Sequence, residues 1–197
     1  MDIKKGQAMK IRYATISKEG RRSNNEDFFV DQLERGRFGG IVCDGMGGHA
    51  CGEVASETVA HAVSAYWEQH AEERDSEDKV VGACQEATRA IEQKAREIGV
   101  KEMGTTMVMA SIEGDIVTIA HVGDSRCYLQ RPGQGVVYQT QDHVRLSFGY
   151  EIVARSFFSR RRRLPTWCSF LFVRATGFCF APMGFTRVWS PRTWKQG

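Results

Sequence analysis

The chain has 197 residues, of which 42% are hydrophobic and 26% charged, a composition typical of one globular domain rather than of a disordered or membrane-spanning chain. All 24 acidic residues lie within positions 1–151, whereas positions 152–197 contain nine Lys and Arg residues and no acid. The net charge of +3 is therefore the sum of an acidic N-terminal part and a basic C-terminal part. This division predicts a domain over residues 1–159 and a separate tail over residues 160–197.

Three strands are predicted in the first 45 residues, at positions 10–16, 27–33 and 37–43. Asp27 closes the extended motif segment that leads into the second of these strands, and Asp44 directly follows the third. Neighbouring strands can bring two such carboxylates to one point, and a glycine after Asp44 lets the backbone approach a cation closely. This part of the sequence therefore predicts a site for a hard metal ion.

Two amphipathic helices are predicted next. Apolar residues recur at three- and four-residue spacing over residues 54–67 and again over residues 80–98. Ser76 is placed to cap the second helix, and Gly99 follows its last apolar residue as a stop signal. Two adjacent helices of this kind need a sheet, or each other, to cover their apolar faces.

A run of strands follows the helices. Residues 105–112 and 116–122 are rich in β-branched side chains and predict a hairpin, and further strands are predicted at 126–130 and 136–140. Strands, a helical pair and then more strands is the order of an α+β fold, in which an antiparallel sheet carries helices on one face.

Five short motifs follow one another in order. They are Arg-Ser-Asn-Asn-Glu-Asp (22–27), Asp-Gly-Met-Gly-Gly-His (44–49), Gly-Thr-Thr (104–106), His-Val-Gly-Asp-Ser-Arg (121–126) and Gln-Asp-His (141–143). Together they resemble the ordered motifs of the metal-dependent serine/threonine protein phosphatases of type 2C, over residues 10–158. The resemblance implies a β-sandwich flanked by helices. It also implies that the chain is incomplete at its C-terminus, because the family has at least two later metal-binding aspartates and no acid follows Glu151 here.

The same resemblance implies roles for particular residues. Asp27 and Asp44 correspond to metal ligands, together with the carbonyl of Gly45, and Asp124 would serve a third, weaker metal site. Arg22 would bind the substrate phosphate as a planar donor fork. The implied cofactors are two Mn²⁺ or Mg²⁺ ions, with room for a third, because these cations prefer carboxylate oxygen. They would activate a water that hydrolyses phosphoserine or phosphothreonine.

Plain structural interpretations exist for several of these residues. Asp44 and Gly45 taken alone form a common turn dipeptide. We interpret His49, His121 and His143 as turn or packing residues rather than as metal ligands.

The tail is explained by a change of reading frame. Codons shifted by one base across residues 177–185 can encode Ile-Leu-Leu-Cys-Ser-Asp-Gly-Val, which contains the Ser-Asp-Gly turn that the family carries and this chain lacks. We infer a frame change near Ser159 to Arg163, and we expect residues 160–197 to be aberrant and poorly ordered. Loss of the later aspartates predicts weak metal binding and impaired activity.

The leading functional prediction is a serine/threonine protein phosphatase with phosphorylated proteins or peptides as partners. The alternative is a non-catalytic phosphopeptide-binding module, a pseudophosphatase, that still binds phosphate through Arg22. A third interpretation, nucleic-acid binding by the four arginines at 160–163, is set aside because the frame change accounts for them.

Composition also bears on cellular location. The six cysteines form no Cys-x-x-Cys pair, which indicates neither zinc nor a disulfide framework. The first residues lack the apolar core of a secretion signal, and no apolar run approaches the ~20 residues of a membrane span. We expect a cytoplasmic monomer without nucleic-acid or membrane partners.

Overall fold

Strands, a pair of helices and a further run of strands follow one another in the structure, which is the order that the sequence predicts. The structure, a computed structural model, describes residues 11–19, 24–34, 37–46, 51–114, 116–147, 150–153, 156–159, 169–174 and 178–181. The helices in these ranges are α1 (Gly52–Gln69) and α2 (Glu77–Ile98). The strands are β1 (Asp27–Glu34), β2 (Arg37–Met46), β3 (Gly104–Thr105), β4 (Met107–Glu113), β5 (Ile116–Val122), β6 (Arg126–Arg131), β7 (Gly135–Gln139), β8 (Val144–Ser147), β9 (Tyr150–Val153), β10 (Phe157–Phe158), β11 (Ser169–Arg174) and β12 (Phe178–Ala181). Neither described helix is long and apolar enough to cross a membrane.

A large antiparallel sheet forms the middle layer. Its described strands follow the order β10-β3-β2-β4-β5-β11, and β1 pairs with the other side of β2. The predicted hairpin is present as β4 and β5, with Glu113 opposite Ile116 at the turn. Gly114 in this turn has a φ of 60°, the left-handed region that glycine enters without steric cost.

The helices pack on one face of this sheet. Val59 and Val63 of α1 and Ile91 of α2 are fully buried in one cluster with Met107 and Met109 of β4. Helix α2 begins and ends where the sequence predicts: the Ser76 side chain accepts a hydrogen bond from the Lys79 backbone, and Gly99 adopts a φ of 71°.

A second, smaller sheet covers the opposite face. It consists, among the described strands, of β12, β6 and β7 in that order. Cys127 of β6 and Tyr138 of β7 pack with Val108, Val117 and Ile119 of the large sheet. Helix pair, large sheet and small sheet thus stack as three layers, which confirms the predicted α+β class and the β-sandwich flanked by helices.

Two strand predictions near the N-terminus need correction. Residues 11–19 contain no strand: Ile11 packs against the cluster between the two sheets, whereas Tyr13 and Ile16 are 50% and 69% exposed. Strand β2 continues through Met46, so Asp44 lies inside the strand rather than after it. The extension occurs because Gly45 and Met46 pair with β3.

Two segments of the predicted tail form strands, and the expectation of a poorly ordered tail stays a prediction. Strand β11 pairs with six of the seven residues of β5, from Ser169 opposite His121 to Arg174 opposite Ile116. Strand β12 pairs with β6 over residues 178–181. Strands β5 and β6 offer backbone groups along one edge, and the aromatic and β-branched residues of both segments suit strands. The rest of residues 160–197 lies outside the described residues, and the boundary at 159 and the frame change stay predictions.

Candidate functional site

Asp27 and Asp44 lie directly opposite each other in the ladder of β1 and β2. The adjacent pair, Glu26 and Gly45, is joined by a backbone hydrogen bond from the Gly45 nitrogen to the Glu26 oxygen at 3.0 Å. Because hydrogen-bonded and non-hydrogen-bonded pairs alternate along an antiparallel ladder, Asp27 and Asp44 form a non-hydrogen-bonded pair. In such pairs the Cα atoms are about 4.5 Å apart and both side chains lie on one face. The structure therefore brings these two predicted site residues together.

Asp27 is held by a short turn at the start of β1. Its backbone nitrogen donates to Oδ1 of Asn25 at 3.1 Å. The Nδ2 atom of Asn25 in turn donates to Oγ of Ser17 at 2.6 Å. A side-chain amide that accepts from the backbone two residues later is a local turn, and it orients the chain just before the strand begins.

Asp44 is held by two threonines of the Gly-Thr-Thr motif. Its carbonyl oxygen accepts from the Thr106 nitrogen at 3.0 Å and from Oγ1 of Thr105 at 2.9 Å. Its nitrogen donates to Oγ1 of Thr106 at 3.1 Å. The sequence alone predicts no role for these threonines, although the motif marks their position.

Gly45 lies where the strands meet the first turn of α1. A Cβ atom at this position would lie 2.1 Å from the Gly52 carbonyl oxygen and 2.7 Å from the Glu26 carbonyl oxygen. Any side chain there would push α1 or β1 away, so only glycine lets the three segments converge. The Glu26 carboxylate itself lies beside Gly52, where the N-terminal end of the helix macrodipole favours negative charge.

Asp124 lies in a buried turn between β5 and β6 and is 4% exposed. Burial raises the pKa of its carboxyl group above the ordinary range, a backbone hydrogen bond acts in the opposite direction, and the charge of Asp142 raises it further. Arg126 lowers the pKa of Asp124 and also binds Asp142, with 2.8 Å between Nε and Oδ1. A further positive charge beside Asp124 would lower the pKa of this carboxyl group, in the same direction as Arg126.

His121 and His143 are packing residues, as the sequence analysis interprets them. Their rings stack with centroids 4.4 Å apart. The Nδ1 atom of His143 accepts from the Gly123 nitrogen at 3.2 Å, and the His143 nitrogen donates to the Gly123 oxygen at 2.9 Å. Nε2 of His121 lies 2.8 Å from the Gln141 oxygen. His49 lies outside the described residues.

Cys43, next to Asp44, is not a candidate nucleophile. Its side chain is fully buried, and burial raises the pKa of the thiol far above its usual range, with the Asp44 charge acting in the same direction. A buried thiol with a raised pKa is a poor nucleophile.

The arrangement fits a hard cation with the donors that are present. Mg²⁺ and Mn²⁺ need only one or two protein carboxylates, and they keep waters in their remaining coordination positions. No three His, Cys, Asp or Glu side chains within the described ranges form a cluster that could hold a metal ion, so Asp124 does not join the Asp27–Asp44 pair. Arg22 lies outside the described residues, and its predicted contact with substrate phosphate stays a prediction.

Comparisons with known proteins agree with this picture. The protein family described as protein phosphatase 2C matches residues 17–154. The serine/threonine protein phosphatase PstP of Mycobacterium tuberculosis is 37% identical over 130 residues, which are 63% of this chain and 24% of that protein. The serine/threonine phosphatase stp of Listeria innocua is 39% identical over 108 residues, 52% of this chain and 42% of that protein.

Solved structures show the same fold. The crystal structure of PstP/Ppp from M. tuberculosis superimposes with a TM-score of 0.62 at 25% identity, covering 79% of this chain and 69% of that one. Stp1 from Staphylococcus aureus, at 23% identity, shows the fold alone, with a TM-score of 0.66 over 87% of this chain and 77% of that one. The chain thus spans less than half of the length of the two curated relatives above.

Proposed function

Because this chain belongs to the protein phosphatase 2C family, we propose that it is the N-terminal part of a serine/threonine protein phosphatase that hydrolyses phosphoserine or phosphothreonine in protein or peptide substrates. Phosphatases of this family are metal-dependent hydrolases. The observation that supports the proposal best is the placement of Asp27 directly opposite Asp44. Like charges in this position destabilise a strand pair, and a divalent cation between them would offset their repulsion.

Asp27 and Asp44 are the residues that would hold the metal. When bound, a cation of this kind supplies an activated water and neutralises charge on the phosphoryl group. The chain's own contribution is to orient the two carboxylates: the Asn25 turn holds Asp27, and Thr105 and Thr106 hold the backbone of Asp44. Asp124 would serve a separate, weaker site in its own buried turn.

We also propose that the chain as written is impaired. The resemblance implies further metal aspartates after residue 151, and the sequence has no acid there. With two carboxylates rather than a larger set, less negative charge offsets the repulsion between neighbouring cations. Mn²⁺ should therefore bind weakly, and turnover should be low.

The test is hydrolysis of a phosphothreonine peptide with Mn²⁺ as the added cation. The chain should release phosphate slowly, and Asp44→Asn should abolish the reaction. Asp31→Asn is the matched control, because Asp31 lies on β1 with Asp27 and its cross-strand partner on β2 is the uncharged Gly40. A single-base change near the codon for Ser159 that restores the frame should raise activity, since it returns a Ser-Asp-Gly turn.

Two outcomes would contradict the enzymatic proposal. One is a frame-restored protein that is folded and yet shows no metal-dependent hydrolysis. The other is phosphopeptide binding without turnover in both forms, which would support the alternative, a non-catalytic phosphopeptide-binding module.

A further inference from the structure

We propose that Thr106 is a positioning residue that ties the backbone of Asp44 to the turn carrying Asp124, and so sets the geometry of both carboxylates. This inference rests on the proposed metal-dependent function of Asp44. It concerns a threonine that is 1% exposed and therefore has no access to substrate or solvent.

The first half of the tie is the contact with Asp44. Thr106 makes two bonds to one residue: its Oγ1 accepts from the Asp44 nitrogen at 3.1 Å, and its own nitrogen donates to the Asp44 oxygen at 3.0 Å. Both bonds lie on the side of β2 away from β1. They therefore fix the peptide groups of Asp44 while its side chain remains on the face shared with Asp27.

The second half is the contact with the Asp124 turn. Oγ1 of Thr106 lies 2.6 Å from Oγ of Ser125, which is itself 1% exposed. A hydroxyl group has one donor and two acceptor positions, so Oγ1 can accept from Asp44 and still bond to Ser125. The Oγ1 atom of Thr106 therefore connects Asp44 with Ser125, which are 81 positions apart in the sequence.

The methyl group of Thr106 adds a packing contact to the same turn. A Cβ atom at Gly123 would lie 2.6 Å from Cγ2 of Thr106, and Gly123 has a φ of 108°. The turn thus approaches Thr106 as closely as a glycine allows. The methyl group thus packs against Gly123, whereas the hydroxyl supplies the directional bond to Ser125 that orients the turn.

The experiment compares Thr106→Val with Thr106→Ser by calorimetric titration with Mn²⁺. Valine keeps the shape of the side chain but leaves the Asp44 nitrogen and the Ser125 hydroxyl without this partner, and we expect the Kd for Mn²⁺ to rise about tenfold. Serine keeps the hydroxyl, and its Kd should stay within about twofold of the unaltered chain. If Thr106 served only stability, both variants would change the thermal midpoint, and the two would have the same Kd for Mn²⁺.

Ser111→Ala is the matched control. Ser111 lies on β4, five residues after Thr106, and is 4% exposed. Its Oγ accepts a hydrogen bond from Nε1 of Trp67 at 3.3 Å. Its loss also removes a buried hydroxyl acceptor, so the thermal midpoint should fall while the Kd for Mn²⁺ stays unchanged. If Thr106→Val does not fold, Ser125→Ala replaces it, because that variant breaks the tie and leaves the Asp44 bonds in place. Its Kd should rise about threefold.

The outcomes separate this inference from the proposed function. Failure of the unaltered chain to bind Mn²⁺ would reject the metal site and this inference with it. If the unaltered chain binds Mn²⁺ and Thr106→Val binds it equally well, the positioning role is rejected while the metal site stands. The same holds for Ser125→Ala where that variant replaces Thr106→Val.

Discussion

Asp27 and Asp44 face each other as a non-hydrogen-bonded pair across β1 and β2. The closeness of such pairs makes the two like charges a source of instability when no cation is present. The same closeness places their oxygens where one divalent ion can contact both. The two opposed carboxylates therefore lower the stability of the metal-free chain and, at the same time, raise its affinity for a divalent cation.

Asp44→Asn should stabilise the metal-free chain and remove its response to metal. Relief of the repulsion should raise the free energy of unfolding by about 0.5 kcal/mol. Excess Mn²⁺ should raise the thermal midpoint of the unaltered chain by mass action and leave that of the variant unchanged. Thermal scans with EDTA and with Mn²⁺ measure both effects, and Asp31→Asn should behave like the unaltered chain. A metal-free Asp44→Asn protein that is less stable than its parent would contradict the repulsion.

Gly123→Ala should be much more destabilising than Gly133→Ala. Both glycines have positive φ, 108° and 78°, so alanine is strained at either position. At Gly133 a Cβ meets nothing within 4 Å, and strain alone should cost about 1–2 kcal/mol. At Gly123 the overlap with Thr106 should add about 1–3 kcal/mol. Urea unfolding of the two variants measures the difference, and equal losses would mean that the turn can move away from Thr106 at no cost.

Lys79→Met should cost far more stability than removal of a surface cation. Nζ of Lys79 lies 3.2 Å from Oδ1 of Asp75 and 4.4 Å from the centre of the Trp67 ring, and its side chain is 1% exposed. Methionine would leave the buried Asp75 carboxylate without its cation, at an expected cost of about 3–5 kcal/mol.

The control for Lys79 is Arg89→Met. Arg89 pairs with Glu86 at the surface, where the two side chains are 70% and 43% exposed, so its loss should cost less than about 1 kcal/mol. Denaturant unfolding followed by far-ultraviolet circular dichroism measures the loss in both variants. A similar small loss for Lys79→Met would show that water reaches Asp75 once the lysine is gone.

Truncation after Ser159 should destabilise the chain, although the tail was predicted to be poorly ordered. Strand β11 covers six positions of β5, and β12 covers four positions of β6. Loss of both ladders exposes two strand edges, so the free energy of unfolding should fall by at least about 2 kcal/mol. A chain that ends at Ala181 keeps both strands and serves as the control. Equal stability of the two truncated chains would support the original prediction for the tail.

Local chemistry explains which elements could be predicted from sequence. The ends of α2 are determined within one turn, by the Ser76 cap and the left-handed Gly99, so no distant residue is needed to find them. The β4–β5 hairpin follows from β-branched runs around a short turn. The tail strands could not be predicted, because whether an aromatic segment forms a strand depends on an available edge elsewhere in the fold.

The amino-acid sequence by itself determined the α+β order of elements, the family resemblance and the identity of the two opposed carboxylates, because short motifs and periodic apolar residues carry that information locally. Only the tertiary structure decided that Asp44 lies within β2 and that Thr106 contacts both Asp44 and Ser125. It also placed Asp124 outside any three-donor cluster of the described residues. These relationships join residues tens of positions apart, and their geometry is fixed by strand register and packing, which no local pattern specifies.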